Sequence, residues 1–181
     1  MVRSAIRFST FPRTEPPPAF VKPIISAFRA HEEEISTVEL SKGLTSDQVL
    51  AVLHDALAKV GFEVERGKSK SQKIERPVFF GENGDSTLKY EIDAFHAEWK
   101  CGLEVEAGRA WMGNAIYRDL VQSSVMVGIE TLCLAVPNAY KYKSSGRDAV
   151  SKDYENTVQV AEALYGHSRV QLPYNLVVIG Y

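Results

Sequence analysis

The chain has 181 residues, 45% hydrophobic and 24% charged, which is the composition of an ordinary folded globular domain. Its formal net charge of −2 gives no overall attraction to nucleic acid or anionic lipid, so a polyanionic partner would have to be bound by local basic segments. The two cysteines are far apart in the sequence, which argues against a disulfide framework or a zinc site, so we expect both to be reduced and buried. The lack of any long apolar run argues against secretion and membrane insertion, so we expect a cytoplasmic location.

The first 22 residues are predicted to form an extended N-terminal arm, because three consecutive prolines at 16–18 disfavour a helix. Residues 23–181 are predicted to form a single domain. Apolar residues at helical spacing indicate a helix from about residue 23 to the acidic run at 32–34. A second helix is expected over 45–61, since Thr45 and Gln48 have capping-box spacing and Gly61 can end it.

Strands are predicted at 62–66 and 77–80, at 88–96 and at 103–107, with a hairpin at Asn83-Gly84 between the second and third. The remaining elements are helices at 114–127 and 153–165 and strands at 131–136 and 174–179. This order predicts an α/β fold in which a mixed β-sheet is flanked by α-helices.

Three acidic residues are expected to share one face of the sheet. Side chains alternate along a strand, so Glu104 and Glu106 point to the same side, roughly 7 Å apart. A turn centred on Trp99 and Lys100 would place Asp93 opposite Glu106 on that face. Carboxylates this close repel one another, and oxygen ligands favour Mg²⁺, Mn²⁺ or Ca²⁺, so the sequence indicates a divalent-metal site.

Asp93 followed by Glu104-Val105-Glu106 on the next strand resembles the PD-(D/E)XK nuclease superfamily, and the order of elements over 45–136 resembles its common core. The chain departs from the motif at Ile92, where the motif has proline, and at Glu106, where it has lysine. The second departure resembles the type II restriction endonucleases that carry Glu or Gln at that position.

The resemblance implies a restriction-endonuclease-like fold and a Mg²⁺-dependent DNA endonuclease, with Mn²⁺ able to substitute. Asp93 and Glu104 would be the metal ligands, and Glu106 would orient or deprotonate the attacking water. A homodimer is expected, because one active site per subunit addresses one DNA strand. Superfamily members often add an acid from the preceding helix, where Asp55 is the nearest candidate.

Two basic segments are candidates for contacts with DNA phosphates. One precedes the strands that carry the acids, and the other, at 140–147, alternates basic and aromatic residues. The expected DNA-binding residues are Lys68, Lys70, Lys73, Arg109, Lys141, Lys143 and Arg147. A polar stripe of Asn114, Arg118 and Gln122 on the following helix would border the site, although such lysine-rich loops and polar stripes are often only solvated surface.

Three alternatives remain open at this stage. Glu104 and Glu106 could lie on a solvated sheet face and form surface ion pairs with Lys100 and Arg109. The same scaffold could be a non-catalytic DNA-binding or protein-interaction module, since fold does not determine function. It could also be a carboxylate–metal hydrolase acting on a small phosphoester, which would require a closed pocket without flanking basic loops.

Overall fold

The computed structural model describes residues 4–67, 69–108 and 110–181. The helices are α1 Val21–Ala30, α2 Glu32–Ile35, α3 Ser46–Val60, α4 Ala115–Val125 and α5 Asp153–Gly166. The strands are β1 Arg7–Phe11, β2 Glu63–Val64, β3 Ile74–Phe80, β4 Ser86–Ile92, β5 Ala94–His96, β6 Cys101–Val105, β7 Thr131–Val136, β8 Tyr140–Ser144, β9 Arg147–Ser151 and β10 Asn175–Gly180.

A six-stranded mixed sheet forms the centre of the molecule, in the order β1-β10-β7-β6-β5-β2. The three central strands β10, β7 and β6 are parallel, and every residue of β6 and β7 is buried. Burial on both faces is typical of parallel strands covered by helices. The outer pairs, β1–β10, β5–β6 and β2–β5, are antiparallel.

Helices cover both faces of the sheet and define two cores. Alternate residues of β6, β7 and β10, such as Leu103 and Cys133, pack against α1 and α3. The intervening residues of β7 and β10, such as Leu134 and Val178, pack against α4 and α5. The mixed sheet flanked by helices that the sequence predicts is therefore confirmed. None of the helices within the described ranges has the length and apolarity that crossing a membrane requires.

Helix α3 begins and ends as its sequence predicts. The Thr45 hydroxyl accepts a hydrogen bond from the backbone N–H of Gln48, and the Gln48 side chain accepts one from the N–H of Thr45, which completes a capping box. Gly61 ends the helix in the left-handed conformation, with φ of 112°. The first turn of α3 is thereby held at the edge of the acidic cleft described below.

Three segments differ from their predicted conformation. The strand predicted at 88–96 is divided at Asp93 into β4, which pairs with β3 in a separate two-stranded sheet, and β5, which belongs to the central sheet. Residues 7–11 of the predicted arm form β1, an edge strand whose apolar Phe11 is buried against the α5 side of the sheet. The basic segment at 140–147, expected to be a loop, is the β8–β9 hairpin. Its turn residues Ser145 and Gly146 have φ of 50° and 78°, which matches the twist of a two-residue hairpin. Both cysteines are free and buried, as expected.

Candidate functional site

An acidic cleft of about 540 Å³ lies between α4, the first turn of α3 and the strands β4 and β6. Seven carboxylic acids and only three basic side chains line it, so its walls carry an excess of negative charge. The residues that line it are Ser46, Asp47, Glu65, Lys73, Lys89, Tyr90, Glu91, Ile92, Asp93, Glu104, Val105, Glu106, Arg118, Asp119 and Gln122.

The structure brings Asp93, Glu104 and Glu106 together in this cleft, but with a different strand register. The pairs Ala94–Leu103 and His96–Cys101 place Asp93 level with Glu104, so the predicted pairing with Glu106 is wrong. The observed register of β5 and β6 differs from the predicted one by two residues, and a shift by an even number leaves each side chain on the same face of the sheet. All three acids therefore still line the cleft.

An aromatic contact sets the position of the turn between β5 and β6. The Trp99 ring stacks on the His96 ring with 3.7 Å between centroids, and the backbone N–H of Trp99 donates to His96 Nδ1. Lys100 then closes the turn with φ of 46°. The turn is therefore centred one residue earlier than Trp99 and Lys100, and this moves Asp93 opposite Glu104.

Glu104 is buried and Asp93 is half-buried where they line the cleft. The backbone N–H of Val105 donates to Asp93 Oδ2 at 2.7 Å, which orients that carboxylate. Glu104 is only 8% exposed, so the alternative of a solvated sheet face does not describe this residue. Burial raises the pKa of Asp93 to about 6. Burial, followed by the charge of Asp93, also raises the pKa of Glu104 well above its ordinary value.

Glu106 lies in contact with two neighbouring side chains of α4. Arg118 Nη2 donates to Glu106 Oε1 at 2.6 Å, while Asp119 lies close enough to interact with the same carboxyl group. Burial, together with the Asp119 charge, raises the pKa of Glu106 to about 8 despite the opposing effect of Arg118.

The sequence analysis missed Asp119, which is one of the most deeply buried acids of the cleft. It belongs to a row of buried residues on α4 that includes Ile116, Leu120 and Ser123. An acid within such an apolar helical row has to be paired or functional, and this was a signal in the sequence that could have identified it. The α3 acid that lines the cleft is Asp47 rather than Asp55, which is fully exposed and bonded to His54.

The donor atoms of the cleft fit a hard divalent cation. All of its acidic ligand candidates are carboxylate oxygens, and Asp119 Oδ2 is a buried oxygen with no hydrogen-bond partner among the described residues. Within residues 4–67, 69–108 and 110–181, however, no three His, Cys, Asp or Glu side chains are arranged to hold one ion. Mg²⁺ usually keeps several waters and takes only one or two protein carboxylates, so a pair of these residues is enough to hold it.

The expected DNA-binding residues are dispersed around the cleft. Lys73 lines it, but its Nζ is bound to Glu65 at 2.8 Å and to Glu91 at 3.3 Å. Lys70 is exposed in a short 3-10 turn. Lys68 and Arg109 lie outside the described residues.

The β8–β9 hairpin carries the remaining three candidates. Lys141 Nζ donates to the carbonyl oxygens of Val38 and Leu40, so this lysine attaches the hairpin to the segment before α3. Lys143 and Arg147 are exposed. The base of the hairpin borders a second pocket of about 330 Å³, which meets the acidic cleft at Ser46.

Comparison with known proteins gives a consistent result. The family model described as "Putative halobacteria restriction endonuclease" matches residues 6–181. The solved structure of restriction endonuclease BglII complexed with a DNA 16-mer has a similar fold, with a TM-score of 0.53 over 97% of this chain and 75% of that chain, at 12% sequence identity. No curated protein matches the chain.

These matches confirm the predicted resemblance to restriction endonucleases and the restriction-endonuclease-like fold. The structural match alone shows the fold, because the sequence identity is low. The family match, by contrast, spans nearly the whole chain, including the acidic cleft and the hairpin beside it. The chain therefore belongs to the family described as "Putative halobacteria restriction endonuclease".

Proposed function

We propose that the protein is a Mg²⁺-dependent DNA endonuclease that hydrolyses phosphodiester bonds in the acidic cleft, with Mn²⁺ able to substitute. The observation that carries the proposal is the placement of Asp93, Glu104 and Glu106 in one cleft with excess negative charge, on a restriction-endonuclease-like scaffold. Such a concentration of buried carboxylates is costly unless a cation neutralises it.

Each of the three acids has a distinct role in this proposal. Asp93, oriented by the Val105 N–H, and the buried Glu104 would hold the cation. When bound, Mg²⁺ would polarise the scissile phosphate and promote ionisation of the attacking water. Glu106 would orient and deprotonate that water, because its pKa of about 8 lies near the pH at which a general base works best.

Supercoiled plasmid and short duplex DNA, each incubated with Mg²⁺ or Mn²⁺, provide the direct test. The wild type should cut, Glu104→Gln should not, and Glu106→Ala should be slower by about 10²-fold or more, the usual contribution of a general base. Glu98→Gln is the matched control, because it makes the same change at an exposed acid and should cut like the wild type. If the wild type leaves every substrate intact with both metals, the catalytic proposal is wrong.

A non-catalytic DNA-binding module remains the second candidate. It is favoured by one observation, the lack of any three described side chains arranged to hold a metal. Calorimetric titration with Mg²⁺ and Mn²⁺ separates the two, because a nuclease should bind the ion through Asp93 and Glu104, whereas the module should bind duplex DNA without it. A small-phosphoester hydrolase fits less well, since it would require a closed pocket without flanking basic segments, and Ser46 lines both the cleft and the pocket beside the basic hairpin.

We also propose that the nuclease acts as a homodimer, because cutting both strands of a duplex requires two active sites. Sedimentation equilibrium of the wild type with and without duplex DNA measures this directly. A dimer should form at least on DNA, and a monomer under both conditions would limit the enzyme to one strand per encounter.

A further inference from the structure

The guanidinium of Arg118 occupies an unusual position for a surface arginine. Its Nε donates to Asp119 Oδ1 at 2.9 Å, its Nη2 lies 2.8 Å from the same oxygen as an ion pair, and Nη2 donates to Glu106 Oε1 at 2.6 Å. Neighbouring residues on a helix do not normally face each other. The Arg118 side chain therefore lies along α4 and lines the cleft.

Asp119 makes this arrangement rigid. Its side chain is 1% exposed and is fixed within the buried row of α4. The hydrogen bond from Nε and the ion-pair contact of Nη2, both to Asp119 Oδ1, restrict rotation of the Arg118 head group. An exposed ion pair alone contributes little to stability, so the ordering of this long side chain calls for another explanation.

One edge of the guanidinium remains available to a ligand. Among the described residues, Arg118 hydrogen-bonds only through Nε and Nη2, so its Nη1 donors have no partner there. The side chain is 57% exposed and lines the cleft. The other two basic residues of the cleft are paired with acids through their charged atoms: Lys73, 21% exposed, with Glu65 and Glu91, and Lys89, 45% exposed, with Glu75. A cleft with excess negative charge needs such a cationic donor before a phosphate can enter.

We propose that Arg118 contacts a phosphate oxygen of the DNA backbone at the acidic cleft and that Asp119 is a positioning residue that holds its guanidinium for this contact. The planar donor edge of an arginine suits phosphate oxygens, which can accept two parallel N–H donors. Arg118 then has two roles: Nη2 keeps Glu106 in place, and Nη1 binds the substrate beside it. This inference rests on the proposed nuclease function.

Binding of a labelled duplex in the Glu104→Gln background, where no cutting is expected, measures the contact without turnover. Adding Arg118→Ala should weaken binding about tenfold, the usual effect of losing a charge-assisted hydrogen bond. It should also make the slope of log affinity against log salt concentration shallower by about one, which is the change expected when one phosphate contact is lost. Arg118→Lys should restore the salt slope but only part of the affinity, because it keeps the charge and loses the planar edge.

Arg13→Ala is the matched control. Arg13 is 51% exposed and is ion-paired with Glu162 at 2.7 Å, outside the residues that line the cleft. This variant should bind the duplex like the parent protein. A similar loss of affinity in Arg13→Ala would show that overall charge is being measured and would overturn the proposal.

The positioning role of Asp119 is tested by a double-mutant cycle on duplex affinity. Asp119→Ala should weaken binding, and Asp119→Ala combined with Arg118→Ala should be no weaker than Arg118→Ala alone. Additive losses would show that Asp119 acts independently of Arg118. Asp119→Asn, which keeps the size and an acceptor oxygen, replaces Asp119→Ala in the cycle if thermal unfolding shows that the alanine variant is not folded.

Failure of this inference can be distinguished from failure of the proposed function. If the wild type cuts DNA while Arg118→Ala keeps the parent affinity and salt slope, Arg118 is only a counterion of Glu106 and the inference is wrong. If the wild type binds duplex DNA without cutting, the endonuclease proposal fails, while the loss of affinity in Arg118→Ala would still support the phosphate contact. Absence of both binding and cutting would overturn both.

Discussion

Replacing Glu104 with glutamine should stabilise the metal-free protein while it removes the proposed activity. Glu104 is buried and lies level with Asp93 on the neighbouring strand, where facing side chains are about 5 Å apart. Two carboxylates at that distance repel by about 3 kcal/mol at an effective dielectric constant of 20. Proton uptake relieves part of this repulsion, so we expect a gain of about 1–3 kcal/mol in the free energy of unfolding at pH 8.

For a chain of this size, that gain corresponds to a rise of about 3–10 °C in the melting temperature. Thermal unfolding at pH 8 with EDTA measures it, and Glu98→Gln at an exposed position is the control that should change little. Adding Mg²⁺ should raise the melting temperature of the wild type but not that of Glu104→Gln. A Glu104→Gln variant less stable than the wild type in EDTA would refute the idea of an electrostatically strained cleft.

Three further predictions concern stability. Burial raises the pKa of Asp93 to about 6 and that of Glu106 to about 8, above their ordinary values of 3.8 and 4.5, so the folded protein binds more protons than the unfolded chain between about pH 4 and pH 8. Urea titrations in EDTA should therefore show an unfolding free energy that falls as pH rises through this range, and a flat profile would contradict these shifts. Thr45→Ala should lower the free energy of unfolding by about 1 kcal/mol, because the capping box of α3 is lost, whereas Thr45→Ser should leave it nearly unchanged. Tyr181→Phe should lower it by about 1 kcal/mol, since the buried Tyr181 hydroxyl donates to the Glu106 carbonyl oxygen at 2.7 Å, and an unchanged value would show that water replaces this bond.

Local patterns in the sequence were sufficient to predict most of the central architecture. The capping box at Thr45 and the mostly apolar strand at 131–136 determine their elements through nearby residues alone, and both appear in the structure as predicted. The shared face of Glu104 and Glu106 was also predictable, because it depends only on the two-residue period of a strand.

Some of the missed features depend on contacts between residues that are distant in the sequence. Another had a turn signal in the sequence that was not interpreted as a turn. The register of β5 and β6 depends on the stacking of Trp99 on His96, which turn propensities do not reveal. The hairpin at 140–151 had a turn signal in Ser145-Gly146, but its alternating lysines were interpreted as a ligand-binding loop. The role of β1 as an edge strand depends on pairing with β10, far along the chain.

The pairing of β1 with β10 has a consequence for how the molecule is made. In the described sheet, β1 has β10 as its neighbour, and β10 is also the parallel partner of β7. A ribosome completes residues 7–11 long before residues 175–180, so β1 cannot pair until β10 has emerged. Such long-range pairing slows folding. The sheet that supports the acidic cleft is therefore completed only after residue 180 has been synthesised.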